Sequence, residues 1–104
     1  MSKTLKQNSH FLSLLLTTSK DQASALLDTI TTEQVSAITE IIHNLLNIPL
    51  GNKPKFIVNK SKKLFEKITH KTTSKDKRRQ LIRKNYKIIL PLLWSVKIHL
   101  EQLL

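Results

Sequence analysis

Apolar side chains recur along this chain at three- and four-residue spacing, most regularly between Glu33 and Leu46, where Val35, Ile38, Ile41, Ile42, Leu45 and Leu46 form one continuous stripe. An α-helix brings such positions onto one side, so the spacing predicts an amphipathic helix over 33–46. Its start is also written in the sequence. Thr31 followed by Gln34 has the spacing of a capping box, in which each side chain satisfies a backbone N–H at the helix start. Glu33, in the first turn, complements the positive end of the helix dipole. A second box at Ser19 and Gln22 opens a shorter helix in which Ala23, Leu26, Leu27 and Ile30 share a face. Upstream, Leu5, Leu12, Leu15 and Leu16, with Phe11 on the flank, predict a helix over 3–17.

Turn chemistry is concentrated in one place. The single glycine, Gly51, lies between Pro49 and Pro54, so the segment Ile48–Pro54 is the expected joint. Pro54 then falls in the first turn of a following helix, where a missing N–H costs nothing. Ile57, Leu64, Phe65 and Ile68 line one side of that helix to about His70, and Lys55, Lys60, Lys62, Lys63 and Lys67 line the other. The polar stretch Lys71–Ser74 interrupts the pattern. Ser74 with Asp76 then caps a last helical region from Lys75, which Pro91 is expected to kink or divide. No stretch alternates with period two, and no Asn-Gly or Asp-Gly pair offers a hairpin turn. The expectation is an all-α fold: one domain over 1–104, a compact bundle of about five short helices, with 3–50 as a helical scaffold and 53–104 as a basic helical segment with an apolar end.

Charge changes this picture from a generic bundle into a lopsided one. Residues 1–52 hold three Lys against four Asp/Glu, whereas residues 53–104 hold fifteen Lys/Arg against Glu66, Asp76 and Glu101. Between Lys53 and Lys87, fourteen Lys/Arg stand against two acids. An ordinary solvated helix face intersperses both signs, and like charges four apart, such as Lys63 with Lys67 or Arg79 with Arg83, oppose helix formation. A bound polyanion removes that repulsion and releases counterions, so the pattern points to nucleic-acid phosphates. The candidate phosphate-binding residues are Lys60, Lys62, Lys63, Lys67, Lys71, Lys75, Lys77, Arg78, Arg79, Arg83, Lys84 and Lys87.

Other chemistry finds little footing. The chain has no cysteine, hence no disulfide, thiolate ligand or Cys nucleophile, and one glycine cannot build a phosphate-binding loop. His10, His43, His70 and His99 lie on different predicted helices with no partner at metal-ligand spacing. No catalytic residue, metal or cofactor is therefore expected, and the acids of the first half read as helix-start electrostatics. Base reading could draw only on Asn59, Gln80, Arg83 and Asn85, and nothing arranges them as a recognition helix. Phe56, Phe65, Tyr86 and Trp94 are too dispersed for a stacking platform; Phe65 and Trp94 are assigned to the core, and Tyr86 to its edge. The apolar stretch Phe11–Leu16 is too short for a signal peptide. The run Ile88–Leu104 contains Pro91, Lys97, His99, Glu101 and Gln102, against the roughly 20 mostly apolar residues a membrane span needs.

The segment with Gln22, Ala25, Leu26 and Leu27, then Thr31, Thr32, Glu33 and Gln34, then Ala37, Ile38, Glu40 and Ile41, then Asn44, Leu45, Leu46, Ile48 and Leu50 resembles small basic proteins of Maverick/Polinton elements and adintoviruses. Those proteins continue with a Lys-rich stretch, comparable to Lys60–Lys67, and a basic stretch before a Leu/Pro-rich end, comparable to Lys75–Trp94. The resemblance implies a virion component that accompanies packaged DNA, similar to the adenovirus core protein called X or mu, in a host nucleus or virion. The chain differs from that family in having no Gly-Gly before its apolar end, and Lys97, His99 and Glu101 there argue against a membrane-active tail.

The leading expectation is thus a non-enzymatic, sequence-tolerant protein that binds or condenses duplex DNA through its backbone. Two alternatives accompany it. In one, the stripe from Val35 to Leu46 docks another copy of the chain or a capsid subunit; in the other, the apolar end lies on an anionic membrane surface beside the Lys/Arg segment.

Overall fold

Short polar side chains cut the long periodic stretches into more helices than apolar spacing alone predicts. The computed structural model describes residues 2–103, which form α1 (Lys3–Gln7), α2 (Ser9–Thr17), α3 (Lys20–Asp28), α4 (Thr32–Leu46), α5 (Asn52–Lys60), α6 (Lys62–Thr69), α7 (Lys75–Lys84), α8 (Tyr86–Ser95) and α9 (Lys97–Leu103). The class is all-α, as expected. The number is nine among the described residues, not about five, because single residues at 8, 61, 85 and 96 interrupt three of the predicted helices. These residues share one backbone geometry, with φ between −120° and −109° and ψ between 16° and 33°.

Two of the breaks have a visible cause. Asn8 and Asn85 each donate both the backbone N–H and the side-chain amide to the carbonyl four residues back, Thr4 and Leu81 respectively. The amide thereby competes for a group the helix would otherwise use alone, which is why Asn favours helix ends over interiors. Asn47 ends α4 with the same amide bond, to the His43 carbonyl at 2.8 Å. Before Val96, the Ser95 hydroxyl donates to the Leu92 carbonyl at 2.6 Å. Pro91 does not divide its region as expected; it sits inside α8, and the breaks fall on either side of that helix.

The predicted caps are in place. Thr31 and Gln34 form the reciprocal box at 2.9 and 3.2 Å, and Ser19 with Gln22 form the other at 3.4 and 3.2 Å. Ser74 accepts from the Lys77 N–H at 3.1 Å and opens α7, with Asp76 in its first turn. Gly51 caps α5 without a side chain, and Pro54 lies in the first turn.

One core holds all of this together, and it draws on both charge halves. Val35, Ile38, Ile41, Ile42 and Leu45 of α4 are buried, and Leu46 is half-buried. Helix α4 packs against α1, α6 and α7, so its apolar stripe is covered by the chain's own helices. The stripe is therefore core; the surface expected for a docking partner is already occupied within the chain. Helix α8 is apolar on nearly every side, with Ile89, Leu90, Leu92 and Leu93 buried, and it meets α2, α3, α5, α7 and α9. A helix without a polar face is stable only when surrounded, and this one is. Its place at the centre explains the apolar run after Ile88, and among the described residues no helix is long and apolar enough to cross a membrane. The segments 3–50 and 53–104 share one core, since α4 packs on α6 and α7 while α8 packs on α2 and α3.

Trp94 ties the ends of this arrangement. Its indole N–H donates to the Leu15 carbonyl at 2.9 Å, seventy-nine residues away. That carbonyl lies in the last turn of α2, where helical acceptors have no partner of their own. Replacing Trp94 with Phe keeps a ring but removes the donor, and is expected to lower stability by about 1 kcal/mol, read as a shifted urea midpoint with an unchanged slope.

Candidate nucleic-acid interface

The lysines and arginines of 53–87 ride on α5 to α8, and the core decides which of them point outward. In α5, Pro54 and Val58 are buried, so Lys53, Lys55, Phe56, Asn59 and Lys60 fall on the exposed side. In α6, Phe65 and Ile68 face inward, which turns Lys62, Lys63 and Lys67 to solvent. Lys71 is exposed in the turn that follows. In α7, Ile82 is the buried residue, and Lys75, Lys77, Arg83 and Lys84 are exposed, as is Lys87 at the start of α8.

Arg78 and Arg79 differ from the rest. Both are half-buried, flanking Ile82 on the inward side of α7, and the Nε atom of each is shielded from water without a hydrogen-bond partner. The Arg78 guanidinium donates through Nη2 to the His70 carbonyl at 2.7 Å, beyond the last turn of α6. A cation suits that negative helix end, and the hydrogen bond ties α7 to the turn before it. Ten of the twelve candidate side chains are therefore presented to solvent, and Arg78 is already engaged within the fold.

Direct ion pairs are few. Among the described residues there are two ion pairs, Lys62 with Glu66 at 3.8 Å and Lys97 with Glu101 at 3.6 Å. Both are exposed i, i+4 pairs, of the kind that contributes a few tenths of a kcal/mol. Only the first involves a cation of the Lys53–Lys87 segment, and Asp28 of α3 lines a surface hollow with Gln80, Arg83 and Lys84.

Beside the lysines of α6 lies an open cleft of about 850 Å³, lined by the end of α4, by α5 and α6, and by the turn at residues 70–72. His43 and His70 lie on its wall with Lys62 and Lys71. The His70 Nδ1 accepts the Thr72 backbone N–H at 3.2 Å and faces the Thr72 hydroxyl at 2.8 Å. His10 and His99 lie elsewhere, and no three His, Cys, Asp or Glu side chains gather into a metal-binding group among the described residues.

Of the side chains considered for base reading, Asn85 spends its amide on the Leu81 carbonyl, and Asn59 lies on α5, apart from Gln80 and Arg83 on α7. Phe65 is fully buried, while Trp94 and Tyr86 are half-buried against the core. Phe56 stands apart from these three. It is 67% exposed at the middle of the lysine-rich side of α5, with the Lys60 Nζ 5.9 Å from its ring centre. Helical phase could have found it, since Phe56 stands two residues from both Pro54 and Val58, on the side opposite the inward-facing pair. No protein-family model, no curated protein and no solved structure matches the chain.

Two expectations separate the structural cations from the free ones. Arg78→Ala should lower stability by about 1–2 kcal/mol through removal of its charged hydrogen bond, whereas Lys84→Ala should stay within about 0.5 kcal/mol, both measured by urea denaturation. Because like charges dominate the face, added sodium chloride should raise the melting temperature between low and moderate ionic strength, and calorimetry across a salt series reads the sign directly.

Proposed function

We propose that this chain is a non-enzymatic protein that binds duplex DNA through its phosphates with little regard for sequence. The observation that carries the reading is the exposed, almost acid-free run of lysines and arginines on four consecutive helices, held on a well-packed core. Such a face holds many counterions and gains free energy by releasing them to a polyanion. Its composition favours backbone binding. Eleven of the fourteen cations between Lys53 and Lys87 are lysines, compact point charges on flexible stems, whereas base edges are read best by the planar fork of arginine. The resemblance to Maverick/Polinton and adintovirus proteins extends the proposal to a virion component that accompanies packaged DNA, working in the virion or the host nucleus. Burial of the Val35–Leu45 stripe weighs against the adaptor alternative in the form that uses that surface.

The test uses the full chain, because removing residues after Pro49 would uncover the core of α4. Four outward cations, Lys77, Arg83, Lys84 and Lys87, are replaced together by Gln, leaving Arg78 and Arg79 untouched. For the unmodified chain, affinity for a mixed-sequence duplex should fall steeply with salt. The log–log slope should flatten in the variant by about 0.9 for every phosphate that it no longer neutralises. Affinity that is absent, or that does not change between low and moderately high salt, overturns the proposal.

A further inference from the structure

Phe56 is an exposed aromatic side chain among the lysines of α5. Of the other exposed large hydrophobic residues, Ile48 borders the groove between α4 and α5 together with Lys55, and Ile98, on α9 beside Lys97, lines a hollow with Pro54 of α5. Phe56 is two-thirds exposed and is bracketed on its own helix by Lys53, Lys55 and Lys60, with no acid between residues 52 and 63. A rise of about 1.5 Å per residue places Lys53 and Lys60 about 10 Å apart along the axis. That length matches about three base steps of one strand. Lysines at the two ends of α5 can thus hold phosphates while the ring between them faces the grooves and the bases.

We infer that Phe56 stacks on nucleobases, as the aromatic element of a face whose lysines hold the phosphates. The inference rests on the nucleic-acid reading above and adds to it a base-directed interaction that does not depend on sequence, because every base presents a π-face. The Lys60 ammonium, at the outer reach of cation–π attraction, holds a positive charge over the ring's neighbourhood and so draws phosphate toward it. The ring reaches either an unpaired base, as on a single-strand platform, or a base step opened in a duplex, as apolar wedges do in architectural proteins. Both sources offer the same surface, and the experiment distinguishes them.

The full chain, Phe56→Ala and Phe56→Trp are titrated into a mixed-sequence duplex and into the corresponding single strand, each carrying a fluorescent adenine analogue at an internal position. Circular dichroism melts accompany the titrations; an exposed ring can be removed without opening the core, and the Trp variant retains an aromatic if Ala weakens the helix. Expected are a change in analogue emission with the unmodified chain and its loss with Phe56→Ala. Affinity of Phe56→Ala should be roughly tenfold weaker at an unchanged salt slope, and Phe56→Trp should recover both signals. Emission changes in the duplex assign the ring to an opened step, and changes confined to the single strand assign it to unpaired bases. If Phe56→Ala binds as tightly as the unmodified chain and with the same emission, the stacking role is overturned while phosphate binding stands. If the unmodified chain binds neither nucleic acid at any salt, both proposals fall. If Phe56→Ala instead loses binding to phosphatidylserine vesicles while its DNA titration is unaltered, the ring serves a lipid surface and the inference is overturned.

Discussion

The packing of α4 against α7 is the interaction on which the rest of the molecule depends. Helix α4 is long, well capped and striped with β-branched and leucine side chains, and α7 is the most charged helix of the chain, with Ile82 as its one fully inward apolar residue. A helix as polar as α7 has little hydrophobic reason to fold by itself, because helices of this length are marginal in water. Its position comes from what surrounds it: α4 and α3 on the neutral side, α6 and α8 on the basic side, and the Arg78 bond to the His70 carbonyl. Full burial of one aliphatic side chain contributes about 1.5–3 kcal/mol, more than an exposed like-charge pair removes, so packing can hold the lysines in place.

That balance gives the cationic face its physical character. The repulsion among Lys53 to Lys87 is a standing cost that the core offsets, and the compensating acids that would relieve it are nearly absent. A rigid base keeps the charges from dispersing as they would on a flexible tail. Counterions therefore gather close to a molecule only about 30 Å across. Arg78 and Arg79 mark the edge of this division of labour: they carry the same charge as their neighbours, but their stems lie against the core and one guanidinium is committed to a helix end.

Much of the fold was legible in the sequence. The two capping boxes, the Ser74 cap, the first-turn Pro54 and the α4 stripe depend on residues three or four apart, and local geometry alone dictates what those spacings do. The lysine sides of α5 and α6 were legible for the same reason. The subdivision into nine helices was harder to read, since a periodic apolar pattern passes through Asn8, Ser61, Asn85 and Val96 without a gap. An Asn amide bonding to the carbonyl four residues back interrupts a helix while leaving the spacing of its apolar residues nearly intact. Pro91, the strongest breaker signal in the last region, proved compatible with a helix because the apolar side chains around it are packed from several directions.

By itself, the sequence determined the helical class, the starts of α3, α4 and α7, the inward sides of α2 to α6, and the imbalance of charge, because all four follow from short-range spacing or from counting. Only the tertiary structure decided that α4 and α8 knit the two charge halves into one core, that Trp94 closes on the Leu15 carbonyl, and that Arg78 turns inward. Those outcomes depend on which helix faces which, a choice settled by packing between residues far apart in the chain.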